Sequence, residues 1–91
     1  MKSKLEELFD DATFGTDAIN HDIGIMITDF GIPVDCLVLE YEDRYDVYLN
    51  LYDDGEAPHR NILVKGSSKN IEIAKRIAAR KIHKECDNLI H

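Results

Sequence analysis

Four histidines and two cysteines are the side chains best suited to metal or covalent chemistry in this sequence: His21, His59, His83, His91, Cys36 and Cys86. Only His83 and Cys86 stand one helical turn apart. A zinc site needs three or four ligands, and neither a C-x-x-C pair nor an H-E-x-x-H run supplies them. Asp53-Asp54-Gly55-Glu56 lacks the alternating ligands and the terminal glutamate of a calcium loop. There is no phosphate-binding glycine loop and no G-x-S-x-G elbow. The expectation is a protein with no metal, no cofactor and no enzymatic activity. A Cys36–His dyad would have to arise from tertiary arrangement, since no spacing announces one.

What remains is charge and its placement. Lys69, Arg76, Arg80 and Lys84 fall within about one quadrant of a helix turning 100° per residue, with Lys65 and Arg60 close in sequence. Such a stripe could neutralise phosphates and release their counterions, giving salt-sensitive binding; it could equally be a solvated face, or pair with acidic strands. The acidic residues Asp35, Glu40, Glu42, Asp43, Asp46, Asp53, Asp54 and Glu56 form a second constellation. They could make a negative surface that docks on a basic protein site, or simply maintain solubility. Tyr41, Tyr48 and Tyr52 are candidates for one sheet face, where tyrosines stack on bases or pair across strands.

The 91-residue chain carries a net charge of −7, which conceals a gradient. Residues 1–59 hold 15 Asp/Glu against Lys2, Lys4 and Arg44, a balance of −12; residues 60–91 hold eight Lys/Arg against three acids, a balance of +5. That asymmetry bears on partners and solubility and not on fold. With 44% hydrophobic residues the chain is globular. The length fits one domain, 1–91, with residues 1–15 as a short helical extension. The start, Met1 to Leu8, is too acidic for a secretory signal, and Ile23 to Thr28 is far short of the roughly 20 apolar residues of a membrane span. A cytoplasmic protein with no membrane association and two reduced, buried thiols is expected. A domain this small is marginally stable, and a homodimer would add to it.

The elements that must carry these residues read as follows. Lys4 to Ala12 is a short helix with Leu5, Leu8 and Phe9 on one side. A second helix is predicted from Thr16 or Asp17 to Phe30, with Ile19, Ile23, Met26 or Ile27, and Phe30 at helical spacing, stopped by Gly31 and Pro33. Val34 to Glu42 is a strand, Glu42-Asp43 a tight turn, and Tyr45 to Tyr52 the clearest strand, by its alternation. Residues 53–58 read as a loop, Arg60 to Lys65 as a third strand, and Gly66-Ser67-Ser68 as a turn. Ser67 or Ser68 would cap a last helix from Lys69 to Asn88, whose core face is Ile73, Ala74, Ile77, Ala78, Ala79, Ile82 and Cys86. The predicted class is α+β, a three-stranded antiparallel sheet packed on two helices that share one face.

This α-β-β-β-α order over residues 17 to 88 resembles the double-stranded RNA-binding domain family. The local match is Gly66-Ser67-Ser68 followed by Ala74-Lys75-Arg76-Ile77-Ala78-Ala79-Arg80, similar to that family's glycine-serine turn and Ala-Lys-x-x-Ala-Ala helix. The resemblance implies phosphate contact through Lys75. The family's two preceding lysines correspond to Ile71 and Glu72 here, with Lys69 and Lys65 the nearest substitutes. Its histidine-bearing loop between the first two strands corresponds only to Glu42-Asp43; Ala57-Pro58-His59 is similar to that loop but falls one hairpin later. Two functions follow as expectations. One is a binding module that contacts double-stranded or otherwise structured RNA through Lys65, Lys69, Lys75, Arg76, Arg80 and Lys84. The alternative is an acidic regulator of a basic protein partner, acting through Asp43, Asp46, Asp53 and Asp54.

Overall fold

The computed structural model of the chain describes residues 3–29, 31–53 and 60–90, with side chains through residues 52 and 85 of the last two stretches. Lys2, Phe30, Asp54, Gly55, Glu56, the Ala57-Pro58-His59 segment and His91 lie outside the described residues, as do the side chains of Asp53 and Cys86. The elements are α1 (Lys4–Phe9), β1 (Asn20–Ile27), β2 (Pro33–Glu40), β3 (Tyr45–Asp53), β4 (Arg60–Ser68) and α2 (Ile71–Ile90). The strands form one antiparallel meander in the order β1-β2-β3-β4. The α+β class is as expected. Among the described residues the sheet has four strands and not three, and the element order is α-β-β-β-β-α.

The extra strand is the segment predicted as a helix. Ile19, Ile23 and Ile27 fit a helical spacing, but His21, Ile23, Ile25 and Ile27 also occupy every second position, the period of a strand. Branching at Cβ favours the extended form, and Gly24 weakens a helix further. Pairing with β2 decides the matter, from Asn20 opposite Glu40 to Ile27 opposite Pro33. Gly31, expected to end a helix, turns a hairpin. Its φ of 77° is open to glycine at little cost, its N–H donates to Thr28 O (2.8 Å), and Thr28 N donates to Ile32 O (3.0 Å). The two-residue Glu42-Asp43 turn is as predicted, closed by Tyr41 N donating to Arg44 O (2.8 Å). Neither residue has positive φ, so the turn is not of the primed kind.

Both faces of the sheet are covered, each by its own helix. On one face Val34, Cys36, Val38, Val47, Leu49 and Leu51 meet Ala74, Ala78 and Ile82 of α2. On the other, Leu37 and Leu39 lie under Leu5, Leu8, Phe14 and Ala18. The expectation of two long helices on one face is therefore corrected: the first of them is β1, α2 packs on one face, and α1 with Phe14 and Ala18 covers the other. Tyr41 and Tyr48 do share the α1 face, as predicted, but as packing groups: Phe14 meets the Tyr48 ring edge-on at 5.5 Å between centroids.

The seat of α2 is set by Gly66, which belongs to β4 and is not part of a turn. A Cβ there would collide with Ala74 O, and would lie 2.7 Å from Ala78 N. Gly66, Ala74 and Ala78 thus let helix backbone rest on strand backbone. The helix is capped by Asn70, whose Oδ1 accepts from Glu72 N (2.9 Å) and Ile73 N (3.3 Å). Ser68 Oγ instead accepts from Asn70 N (3.2 Å), and Ser67 Oγ donates to Asp46 Oδ1 (2.7 Å).

Cys36 is a buried free thiol, as predicted. Burial pushes its pKa above the ordinary 9.0; Lys75 opposes and Asp22 adds. The folded thiol keeps its proton where the unfolded one loses it, so the unfolded state binds fewer protons and stability falls as pH rises above about 9. Alkylation of Cys36 followed by peptide mass mapping should be slow in the native protein at neutral pH and fast in denaturant. Rapid native labelling would contradict this placement.

Candidate nucleic-acid interface

Because Ala74, Ala78 and Ile82 face the sheet, residues two positions on point away from it, 200° around the helix. Arg76, Arg80 and Lys84 do so and are exposed, in steps of four residues or about 6 Å along the axis. Lys69, also exposed, precedes the helix at the same end as the cap. Among the described residues no ion pair involves Arg76, Arg80, Lys84 or Lys69. Ile73, expected in the core, is 44% exposed and lies within this stripe. Its spacing belongs to both faces, and only the Gly66 contact rotates it outward.

The other two predicted phosphate ligands stand elsewhere. Lys75 is half-buried and looks into the groove between α2 and β1, with Asp22, Gly24, Met26, Cys36 and Val38. Lys65 projects on the α1 face, across the sheet from α2. Its Nζ lies 3.5 Å from Asp46 Oδ2 and 5.6 Å from the centre of the Tyr48 ring. Lys81, missed in the sequence, flanks the stripe and donates from Nζ to Lys65 O on the outer edge of β4 (2.7 Å). Its position on the wheel, about 60° from Lys84, was the available signal.

Of the acidic constellation, Asp46 lies inside the fold and Asp43 at the β2–β3 turn. Asp46 is 1% exposed, and its carboxylate accepts from Ser67 Oγ and from Arg44 Nε (3.2 Å), with Lys65 alongside. It is an internal hub of the α1 face and does not reach solvent. The Asp46 carboxylate, more than that of Asp43, holds the Arg44 guanidinium above its ordinary pKa. Arg44 also pairs with exposed Asp43 (3.1 Å) and lies 4.3 Å over the Tyr41 ring, so Asp43 is partly neutralised. Asp53 ends β3, and Asp54 is outside the described residues.

Among the described residues no group of three or more His, Cys, Asp or Glu could hold a metal ion, and no helix is long and apolar enough to cross a membrane. Comparison of the chain with models of known families, with curated proteins and with solved structures finds no match.

Proposed function

We propose that the chain is a non-catalytic binding module that contacts nucleic-acid backbone, structured RNA above all, through the outward stripe of α2. The observation that carries this reading is the row Arg76, Arg80, Lys84: three exposed cations, one turn apart, without acidic partners among the described residues. Cations outside any ion pair have their charge free for phosphate, whereas Lys65 spends its own on Asp46. The likeness to double-stranded RNA-binding domains now supports the reading only through α2, because residues 20–27 form a strand and Lys75 turns toward the sheet.

The test is a mobility-shift titration against duplex RNA, duplex DNA and single strands across a salt series. Three phosphate contacts should give a log–log salt slope of about −2 to −3. Arg76→Glu with Arg80→Glu should weaken binding by roughly a hundredfold or more, given about 1.5 kcal/mol or more for each charge-assisted contact. The circular dichroism spectrum should be unchanged, since both side chains are exposed. No binding to any of the three at low salt would overturn the proposal. A nuclease-resistant protein partner, lost on reversing Asp43, would favour the acidic-regulator alternative.

A further inference from the structure

The two edges of the sheet are unlike. The outer edge of β4 is guarded: Lys65 is an edge lysine, and Lys81 Nζ occupies the Lys65 carbonyl. Charges of this kind prevent a second strand from adding. β1 has no such guard. From Ile23 to Thr28 it carries no charge and no proline, and among the described residues its only strand neighbour is β2. Thr28 N donating to Ile32 O fixes the alternation, so the even residues of β1 bond to β2. The N–H and C=O groups of His21, Ile23, Ile25 and Ile27 point outward. On these same residues the isoleucine side chains are 58%, 69% and 63% exposed in order.

Gly24 is a second, independent anomaly. Its φ is not in the left-handed region, and a Cβ built on it would meet nothing within 4 Å. Neither the turn geometry nor the packing of this chain calls for glycine there, and glycine weakens a strand. A strand glycine marks a bulge, a bend or the close approach of a ligand or another backbone, and the one-to-one register from Asn20 to Ile27 leaves no bulge at Gly24.

We infer that β1 is the interface of a homodimer, in which two copies pair edge to edge about a two-fold axis at Gly24 and form one eight-stranded sheet. The sequence is self-complementary about that point. Ile23 lies opposite Ile25 of the second copy, His21 opposite Ile27, and Asp22 opposite Met26, so no two like charges face each other. The Ile23–Ile25 pairs exchange the outward hydrogen bonds. Gly24 meets Gly24 at a non-hydrogen-bonded pair, where facing Cα atoms approach to about 4.5 Å. The two-fold axis is normal to the sheet, so both α2 helices lie on the same face. Seated over β3 and β4, they are separated by six strand spacings, roughly 29 Å. The inference does not depend on what α2 binds.

Sedimentation equilibrium of the full chain should give twice the 10.4 kDa chain mass. The association should persist or strengthen with added salt, because two copies of net charge −7 repel. Ile25→Lys should reduce the mass to that of one chain and keep the circular dichroism spectrum, since the side chain is already mostly exposed. Hydrogen exchange should show the Ile23 and Ile27 amides protected in the wild type and exchanging freely in the Ile25→Lys protein. A monomer at all concentrations would overturn the inference, as would a dimer indifferent to Ile25→Lys, an open-ended polymer, or a β1 edge that pairs only with a foreign strand. Loss of nucleic-acid binding with the dimer intact, or the reverse, separates this inference from the reading of α2.

Discussion

Gly66→Ala should destabilise the protein by at least about 3 kcal/mol. The added Cβ meets helix backbone, at Ala74 O and Ala78 N, with the Ala78 methyl at 3.2 Å. A flexible side chain would swing aside, but two peptide groups of α2 can move only with the whole helix. Lifting α2 loosens the contacts of Ala74, Ala78 and Ile82 with Val47 and Leu49, all of them completely buried. Overpacking a well-filled core costs about 1–3 kcal/mol where side chains can yield. The rigid case should lie at or above the top of that range, against a total stability of about 5–10 kcal/mol for a domain of this size. Urea denaturation followed by circular dichroism measures it. The effect should be specific to this site: Gly24→Ala, where a Cβ meets nothing, should leave the stability of a single chain unchanged or slightly raised. A Gly66→Ala protein with a wild-type midpoint would show that α2 does not rest on β4 as described.

Gly66 also shows where the sequence stopped being legible. Followed by two serines, it carries every local sign of a turn, and its actual role depends on a helix that starts five residues later. β3 and the α2 stripe were readable because each has a clean period, of two and of 3.6 residues, within one element. The segment at 20–27 was not, since Ile19, Ile23 and Ile27 satisfy both periods, and Gly31 with Pro33 would punctuate a helix end and a hairpin alike. Only the partner strand β2 separates the two. The site divides in the same way. The exposed row Arg76, Arg80 and Lys84 was legible from helical geometry alone, whereas the face that Lys65 takes depends on strand register. Alternation along β3 did put Asp46 on the polar side. Its carboxylate is instead enclosed by Arg44, Lys65 and Ser67, which the fold brings together from β4 and the β2–β3 turn.

The layer of residues 3–18 over Leu37 and Leu39 is fastened to the sheet through Asn50 and Asn61, and Asn50→Ala should cost about 3–6 kcal/mol. Asn50 is 1% exposed, in the middle of β3 on the α1 face. A helix of six residues is unstable alone, and its first N–H groups have no partner within it. Three side chains supply them. Ser3 Oγ accepts from Glu6 N (3.1 Å), Asn61 Oδ1 from Lys4 N (3.0 Å), and Asn50 Oδ1 from Leu5 N (3.0 Å). Asn50 Nδ2 meanwhile donates to Asn61 Oδ1 (3.1 Å) and Ile62 O (2.8 Å), so the amide uses both its ends. Alanine removes three hydrogen bonds at about 1 kcal/mol each and strands the buried Leu5 N–H, whose desolvation is worth about 1–3 kcal/mol unless α1 lifts to reach water. Lifting would in turn uncover Leu37 and Leu39. Asn50→Asp tests the polarity of the arrangement: it keeps the acceptor for Leu5 but turns a carboxylate oxygen toward Asn61 Oδ1 and the Ile62 carbonyl. It should therefore destabilise at least as much as alanine at neutral pH, despite its nearly identical shape. Denaturation midpoints for both variants, with hydrogen exchange at the Leu5 and Glu6 amides, decide the point. An aspartate variant as stable as the wild type would mean that the Asn50 amide does not hold α1 to the sheet.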